Sequence, residues 1–271
     1  LYYGKQWTQD PVNHWQFAFL WLLTCSDEPQ SRQAWLHAFT HARVMVAVWS
    51  ALTLPILFIW GSRLFGRGAG WIASMLWALS PNVVAHAGMV TTDIAAANTT
   101  LLACFAFSNW LDRPGPWRGV GAGIALAAAQ LVKFSALWLF GFFPLWWLWS
   151  RWFKSDSKPT WQGLCGIFAV SLLVINAGYL FEGSFTPIGR FSFVCDMLTR
   201  NRLATDGPPD VGSSKTFNDI QLRRVNKFRG SLLEWLPCPL PYHYVAGFDE
   251  QKFEADGKYQ MYLNGVMRHG G

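Results

Sequence analysis

The sequence predicts an all-α polytopic membrane protein with about six transmembrane helices and a loop region on the outer face of the membrane. The first observation is composition: 52% of the 271 residues are hydrophobic, 17% are aromatic and only 14% are charged. The second is a series of uncharged runs between residues 44 and 181, several of them as long as a membrane-spanning helix. The third is that arginine and lysine lie in short clusters between these runs, as in cytoplasmic loops.

The formal net charge of +6 does not indicate a nucleic-acid-binding protein. The basic residues are divided among short loops and form no single stripe, so we expect membrane lipid and no nucleic acid as a partner. The five cysteines show no Cys-x-x-Cys pair, which argues against a zinc site. Cys195 and Cys238 share the predicted outer region, and a disulfide between them is one open alternative.

Residues 1–42 are predicted to be part of a first outer loop with short surface helices, because polar and aromatic residues alternate there. The apolar run 17–23 is too short to span a membrane and has no basic lead-in, so we expect no cleavable signal peptide. The chain starts at Leu1 and ends at Gly271 without closing structure, which is typical of a piece of a longer protein.

Residues 43–181 are predicted to form the transmembrane core. Its uncharged runs cover residues 44–62, 69–90, 94–111, 119–132, 134–150 and 161–181. A spanning helix needs about 20 residues, so the two runs on either side of Lys133 are short and we expect tilt or local thinning of the bilayer. Gly119 and Gly123 lie four residues apart and provide a small face for close helix packing.

The basic loops give the orientation of the core. The basic residues of these loops are Arg63, Arg67, Arg113, Arg118, Arg151, Lys154 and Lys158. All of these loops lie on the cytoplasmic side only if residues 119–150 cross the membrane twice. Residues 182–271 are then an extracytoplasmic loop region. The other ionisable residues of the core share the outer ends of their helices, and these residues are Arg43, His86, Asp93 and Lys133.

Asp93 is the one carboxylate in the apolar stretch 79–97. An isolated buried carboxylate costs several kcal/mol, so its presence requires a partner or a chemical role. One interpretation is a general base that takes a proton from an attacking hydroxyl. The other is structural, because Thr92 and Asp93 stand where a helix begins and aspartate is favoured as an N-cap.

The neighbouring candidates also have structural alternatives. Arg43 and Lys133 are cations that suit a phosphate group, although basic residues at this depth also snorkel to the membrane interface. His86 on an apolar helix is more often a hydrogen-bonded core residue than a metal ligand. Asn82 follows Pro81 in a sequence typical of a helix kink or end.

A set of short segments carries a family resemblance. The segments are Arg-Leu-Phe-Gly-Arg-Gly-Ala-Gly at 63–70, Leu-Ser-Pro-Asn-Val-Val-Ala-His-Ala-Gly-Met-Val-Thr-Thr-Asp-Ile-Ala-Ala-Ala at 79–97, Leu-Val-Lys-Phe-Ser-Ala at 131–136, His-Ala-Arg at 41–43, Tyr-Leu-Asn-Gly at 262–265 and His-Gly at 269–270. Together they resemble the bacterial phospholipid-carrier-dependent glycosyltransferases, relatives of the protein O-mannosyltransferases and the lipid A aminoarabinose transferase in the type-C class. The resemblance is strongest over residues 41–154.

The resemblance implies a mannosyltransferase-like enzyme of the bacterial inner or plasma membrane. Such an enzyme takes a sugar from a polyprenyl-phosphate donor and transfers it, with inversion, to a protein or lipid acceptor hydroxyl on the extracytoplasmic side. In this family's scheme Asp93 assists the acceptor hydroxyl, and Arg43 and Lys133 stabilise the departing phosphate. The residues implied to line the pocket are Asn82, His86, Tyr262 and His269.

The chain also departs from this family. The family's principal catalytic acid lies in the first outer loop after a first membrane helix, and that helix is not in this sequence. Asp10, Asp27 and Glu28 are acids of the predicted first loop, but their sequence context differs. We therefore expect the chain alone to lack part of its active site. The sequence assigns no cofactor and leaves a divalent metal ion open.

Two other classes of function fit the same residues. One is a membrane transporter or lipid-binding protein in which Asp93, Arg43 and Lys133 form a buried cluster. Inverted internal repeats would favour that class, and the sequence has none that we detect. The other is a non-catalytic membrane scaffold, which would tolerate Asp93→Asn.

Overall fold

The computed structural model describes residues 29–153, 159–203, 215–217, 220–256, 260–263 and 266–269. Within these ranges the protein contains eight α-helices and two small antiparallel sheets. Contacts divide the chain into two units, Leu1–Asn109 and Trp110–Gly271. The mainly helical fold class is thereby confirmed.

The described part of the first unit starts with a helical hairpin. Helix α1 covers Pro29–Phe65 and helix α2 covers Arg67–Leu79. Gly66 joins them with a φ of 92°, a left-handed conformation that glycine adopts without a side-chain clash. The two helices pack closely at Gly70, where an added side-chain carbon would lie 2.6 Å from the carbonyl oxygen of Phe58.

Hydrogen bonds across this hairpin set its antiparallel register. The Ser74 hydroxyl donates to Gly70 O and to Leu54 O, and the Trp77 indole donates to Ser50 O at 3.2 Å. In a helix surrounded by lipid, such side chains bind neighbouring backbone carbonyls because no water is available. The end of α2 therefore lies beside the middle of α1.

A short helix α3, Pro81–Ala87, follows, and then the longer helix α4, Asp93–Asp112. Asn98 of α4 donates to Trp49 O at 2.8 Å and to Thr53 Oγ1 at 2.7 Å. Further along, the Arg63 guanidinium donates to Asn109 Oδ1. Residue numbers rise together along both helices, so α4 runs parallel to α1.

The second unit has three longer helices that precede the loop region. They are α5, Pro116–Val132; α6, Leu139–Phe153; and α7, Trp161–Gly178, with a 3₁₀ helix at Phe134–Trp138 between α5 and α6. An added side-chain carbon at Gly123 would lie 2.7 Å from the carbonyl oxygen of Ile167 on α7. The predicted small face for close helix packing is thereby confirmed.

The loop region after α7 is folded. Strands β1, Thr199–Leu203; β2, Lys215–Phe217; and β3, Ile220–Asn226, form an antiparallel sheet in the order β1-β3-β2. Short 3₁₀ helices cover Ile188–Arg190 and Leu232–Trp235. Helix α8, Tyr242–Asp256, precedes a hairpin of β4, Gln260–Leu263, and β5, Val266–His269.

Helix α8 packs on the ends of the second unit's helices. Tyr244 of α8 is buried with Ala127 of α5 and Ile175 of α7, and Phe134 packs on the same cluster. The Phe134 and Tyr244 rings meet edge to face, with centroids 5.1 Å apart. Since large side chains bury most of the apolar area in such a core, this aromatic contact helps to hold α8 against α5 and the 3₁₀ helix.

The structure corrects several expectations about the predicted spans. Among the described residues, three helices are long and apolar enough to cross a membrane, so the count of about six stays a prediction; the three are Leu36–Phe65, Asp93–Asp112 and Trp161–Gly178. The predicted run 69–90 is not one helix, because Pro81 starts a new helix after extended Ser80. Residues 29–42 belong to α1, so this part of the predicted first loop is one long helix.

The structure also contains no Cys195–Cys238 disulfide. Both residues have free thiols, and Cys195 is completely buried. Cys238 makes two backbone hydrogen bonds: its N–H donates to Thr186 O, and its carbonyl oxygen accepts from Phe185 N. The open alternative of a bond between the two cysteines is therefore wrong.

Candidate active site

Asp93 is the first residue of helix α4. The first helical hydrogen bond runs from Ala96 N to Thr92 O, so Thr92 occupies the N-cap position. Asp93 follows in the first turn, and a role in starting the helix remains its structural alternative. A carboxylate in the first turn still benefits from the positive end of the helix dipole.

His86 lies beside this carboxylate. Its Nδ1 atom is 3.5 Å from Asp93 Oδ2, and the two side chains are 41% and 46% exposed. That separation allows an ion pair but is long for a hydrogen bond. The sequence placed His86 on an apolar helix, and the structure places it at the end of α3, next to the start of α4.

Two shielded polar atoms lie close in sequence to Asp93. His86 Nδ1 and Thr91 Oγ1 are covered from solvent and make no hydrogen bond with any part of the chain that the structure describes. Most shielded polar atoms in proteins have such a partner. His86 Nδ1 has the ion-pair contact with Asp93 Oδ2 in place of a hydrogen bond.

Arg43 lies at the same end of the first unit. The hydrogen bond from Asn98 to Trp49 O shows which residues of α4 and α1 lie side by side. Arg43 lies six residues before Trp49, and Asp93 lies five residues before Asn98. With a rise of about 1.5 Å per residue in parallel helices, the two positions differ by only about 2 Å along the axis. The exposed Arg43 guanidinium lies 4.5 Å from the centre of the Phe39 ring.

Asn82 completes the candidates of the first unit. It is exposed in the first turn of α3, four residues before His86. Residues four apart lie on the same face of a helix, so Asn82 and His86 share a face. The structure therefore brings His86 and Asp93 together, with Asn82 on the same helix face as His86 and Arg43 at a similar height to Asp93.

Lys133 belongs to the second unit, where it separates α5 from the following 3₁₀ helix. Its backbone is extended, with φ −155° and ψ 129°. Its N–H donates to Ala129 O at 3.2 Å and its carbonyl accepts from Ala136 N at 3.1 Å. The predicted break of the apolar run at Lys133 is thereby confirmed, and it leaves the side chain half-buried on a turn.

A buried hydrogen-bond chain holds this turn. Gln130 is fully buried, its amide donates to Ala136 O at 2.8 Å, and its carbonyl oxygen accepts from the Tyr244 hydroxyl at 2.9 Å. Burial, and to a lesser degree the nearby Tyr179, raises the pKa of Tyr244 to about 12. Tyr244 therefore remains a neutral donor, and the loop region is fastened to both ends of the Lys133 turn.

Tyr262 and His269 lie on the terminal hairpin. Gln260 pairs with His269, and Tyr262 pairs with Met267 across the two strands. The two predicted pocket residues thus lie two register positions apart on one hairpin. The acids of the predicted first loop, Asp10, Asp27 and Glu28, lie outside the described residues.

Sequence reasoning missed the uncharged polar residues of the core. Asn98 and Gln130 are each almost fully buried, and each makes two hydrogen bonds that join separate elements. The runs were defined by the absence of charge, so an amide inside a run gave no signal. An amide inside a long apolar run was the available clue, because membrane helices hydrogen-bond through such residues.

No group of three or more histidine, cysteine, aspartate or glutamate side chains that could hold a metal ion occurs among the described residues. The pair of His86 and Asp93 offers two donors at most. The structure thus gives no donor set on which to assign the divalent metal ion that the sequence left open.

Comparison with known families adds to this geometry. A family model described as dolichyl-phosphate-mannose-protein mannosyltransferase matches residues 36–176, more than half of the chain. No curated protein and no solved structure shows a significant match. The matched region includes Arg43, Asn82, His86, Asp93 and Lys133. The resemblance noted in the sequence is thereby confirmed: the chain belongs to the dolichyl-phosphate-mannose-protein mannosyltransferase family, a family of membrane glycosyltransferases.

Proposed function

We propose that the protein transfers a sugar from a polyprenyl-phosphate donor to a hydroxyl of a protein or lipid acceptor, with inversion, on the extracytoplasmic side of the membrane. The family match supports a glycosyltransferase of the mannosyltransferase type. The observation that carries the proposal is the contact between His86 Nδ1 and Asp93 Oδ2, 3.5 Å apart at the start of helix α4.

In the proposed reaction the acceptor oxygen attacks the anomeric carbon of the donor sugar. The bond between that carbon and the phosphate oxygen breaks, and polyprenyl phosphate leaves with the electron pair. Asp93 accepts the proton of the acceptor hydroxyl as the new bond forms, which is general base catalysis. His86 holds the Asp93 carboxylate in position from 3.5 Å away.

The proposed roles of Arg43 and Lys133 follow from the charge of the leaving group. Negative charge grows on the phosphate as the bond to the sugar breaks, and fixed cations stabilise that charge most effectively. Arg43 is an exposed cation at nearly the same height as Asp93 along parallel helices. Lys133 stands on a turn that buried hydrogen bonds hold in place.

The test is the transfer of labelled sugar by the full-length protein from a polyprenyl-phosphate-linked donor. We expect Asp93→Asn to lower kcat by about 100-fold or more, because a general base contributes that much. Asp112→Asn is the matched control, since Asp112 is the exposed acid at the other end of the same helix. Its kcat should stay near that of the wild type.

Cation variants test the phosphate role separately. Arg43→Gln should reduce kcat by about 100-fold, the typical cost of removing one stabilising donor of the transition state. Arg67→Gln is its control, because Arg67 is an exposed arginine at the opposite end of the first unit. Wild-type turnover in both Asp93→Asn and Arg43→Gln would refute the proposed reaction and favour a scaffold or transporter.

A further inference from the structure

Two strips of the loop region expose large apolar side chains. The first strip follows helix α7 and contains Leu180, Phe181 and Phe185, which are 87%, 52% and 64% exposed. The second contains Leu232 and Trp235, which are 99% and 74% exposed. We call these five residues the apolar shelf. Contiguous exposed apolar groups of this kind mark a surface that something else covers.

The backbone of the first strip is held in an unfavourable conformation. Leu180, Phe181 and Phe185 have φ values of 52°, 59° and 63°. Bulky residues rarely adopt this left-handed region because the side chain crowds the backbone. Such strain persists where the surroundings fix it, and it clusters at functional surfaces. Here it coincides with three exposed apolar side chains.

Hydrogen bonds tie the two strips to each other. Phe185 N donates to Cys238 O at 2.9 Å, and Ile188 N donates to Leu236 O at 3.0 Å. The 3₁₀ turn Leu232–Trp235 directly precedes this paired segment. The two strips therefore form one surface and not two separate loops.

Further hydrogen bonds tie this surface to the end of a candidate membrane span. Asn176 lies in the last turn of α7, within the span Trp161–Gly178. Its amide donates to Pro239 O at 2.9 Å, and its side-chain oxygen accepts from the Ser184 hydroxyl. Leu180 lies two residues after the end of the span, and its N–H donates to Ala177 O. The shelf is thus fixed at the level where the span ends.

We propose that the apolar shelf inserts into the lipid bilayer beside the end of α7 and anchors the loop region to the membrane surface. Helix α7 is apolar and long enough to span, so its end lies at the boundary between hydrocarbon and headgroups. Tryptophan and leucine side chains fixed at that level enter the interface favourably. The exposed Arg190 next to the paired strips suits anionic lipid headgroups.

The test uses the full-length protein in nanodiscs of phosphatidylcholine and phosphatidylglycerol. A small fraction of the phosphatidylcholine carries a photoreactive diazirine on its acyl chain, and crosslinked peptides are mapped by mass spectrometry. We expect peptides that contain residues 180–185 and 232–236 to be labelled as strongly as peptides of α7. Glu250, an exposed acid of α8, lies in a peptide that serves as the unlabelled control.

Hydroxyl-radical footprinting of the same nanodiscs gives the complementary result. The protein's own atoms leave Leu232 and Trp235 largely exposed, so protection of these side chains must come from an external partner. Protection together with lipid labelling supports the proposal. Protection without lipid labelling would assign the surface to another protein segment, and oxidation without labelling would leave it in water. Either outcome would overturn the anchor without affecting the proposed sugar transfer.

Discussion

Asp249 shows how a single buried carboxylate organises the loop region. It is 1% exposed on helix α8, and its two oxygens accept hydrogen bonds from Val194 N at 2.6 Å and Cys195 N at 3.1 Å. These bonds fasten the segment before β1 to α8. Burial, with a smaller contribution from Asp249, raises the pKa of the Cys195 thiol, which keeps that cysteine protonated and unreactive.

The Asp249→Asn substitution is expected to destabilise the loop region by about 1–3 kcal/mol. An asparagine side chain has one acceptor oxygen where aspartate has two, so one buried N–H loses its partner. Glu250→Gln is the control, because Glu250 is the exposed neighbour on the same helix. Thermal unfolding in detergent measures the difference, and equal melting temperatures for the two variants would contradict this account.

Tyr244 predicts a pH dependence at the alkaline end. Burial is the main cause that raises its pKa from the ordinary 10 to about 12. A raised pKa contributes stability that is fully present below pH 10 and is lost as the pH rises through about 12. The melting temperature of the wild type should therefore fall across this interval.

Tyr244→Phe provides the comparison for this titration. The variant keeps the ring against Phe134 but loses the hydrogen bond to Gln130, so it should be less stable by about 1 kcal/mol at neutral pH. Its stability should also depend less on pH in the alkaline interval. An unchanged pH dependence would show that another group causes the loss.

At the residue level, the sequence drew attention to the charged residues and not to the buried amides. A lone carboxylate in an apolar stretch drew attention to Asp93, and His86 proved to be its neighbour in space. The link between Gln130 and Tyr244 joins residues 114 positions apart. Such a pairing depends on how α8 packs on α5, and nothing local in either segment specifies it.

At the scale of elements, the contact between α5 and α7 gives a sharp test. Gly123→Ala would bring a methyl group within 2.7 Å of Ile167 O, an atom that cannot move independently of its helix. We expect the pair of helices to separate slightly and stability to fall by about 1–3 kcal/mol. The measurement is thermal unfolding of the purified protein.

Gly121→Ala is the matched control for this substitution. Gly121 lies on the same helix, and an added side-chain carbon there meets no atom within 4 Å. Alanine favours a helix over glycine, so this variant should be unchanged or more stable by up to about 1 kcal/mol. A loss of stability in Gly121→Ala as large as in Gly123→Ala would rule out close packing as the cause.

The breaks between helices were only partly predictable. Lys133 interrupts an apolar run with a charge, and α5 indeed ends at Val132. Pro81 carries no charge, so a run defined by charge continued through it, although proline at the first turn of a helix marks a new start. The helix kink or end predicted at residues 80–82 is nevertheless confirmed, because α2 ends at Leu79 and α3 begins at Pro81.

At the scale of the whole molecule, the first unit predicts which loops lie on opposite sides of the membrane. The hydrogen bonds of α1, α2 and α4 place the turn at Arg67 at one end and the start of α4 at the other. Arg67→Cys and Thr92→Cys should therefore react with a membrane-impermeant maleimide from opposite faces. Labelling from the same face would contradict the transmembrane arrangement of this unit.

To determine which of the two cysteines faces the cytoplasm, labelling of intact cells is compared with labelling of inverted vesicles. The labelled peptides are identified by mass spectrometry. Peptide-level detection separates the new thiols from the native ones, of which Cys165 is exposed. The basic loops predict that Thr92→Cys reacts from outside and Arg67→Cys from inside. The reverse pattern would invert the proposed side of sugar transfer while preserving the fold of the unit.

The limited length of helix α2 has a consequence for how a charged donor reaches Asp93. Its thirteen residues extend about 20 Å, whereas the hydrocarbon layer measures about 30 Å. Helix α2 alone is thus shorter than the hydrocarbon layer is thick, and it ends on the side where Asp93 and Arg43 lie. A bilayer thins beside a segment that is too short to cross it. In the proposed reaction, this thinning would let a lipid-borne phosphate approach the carboxylate while the phosphate stays hydrated.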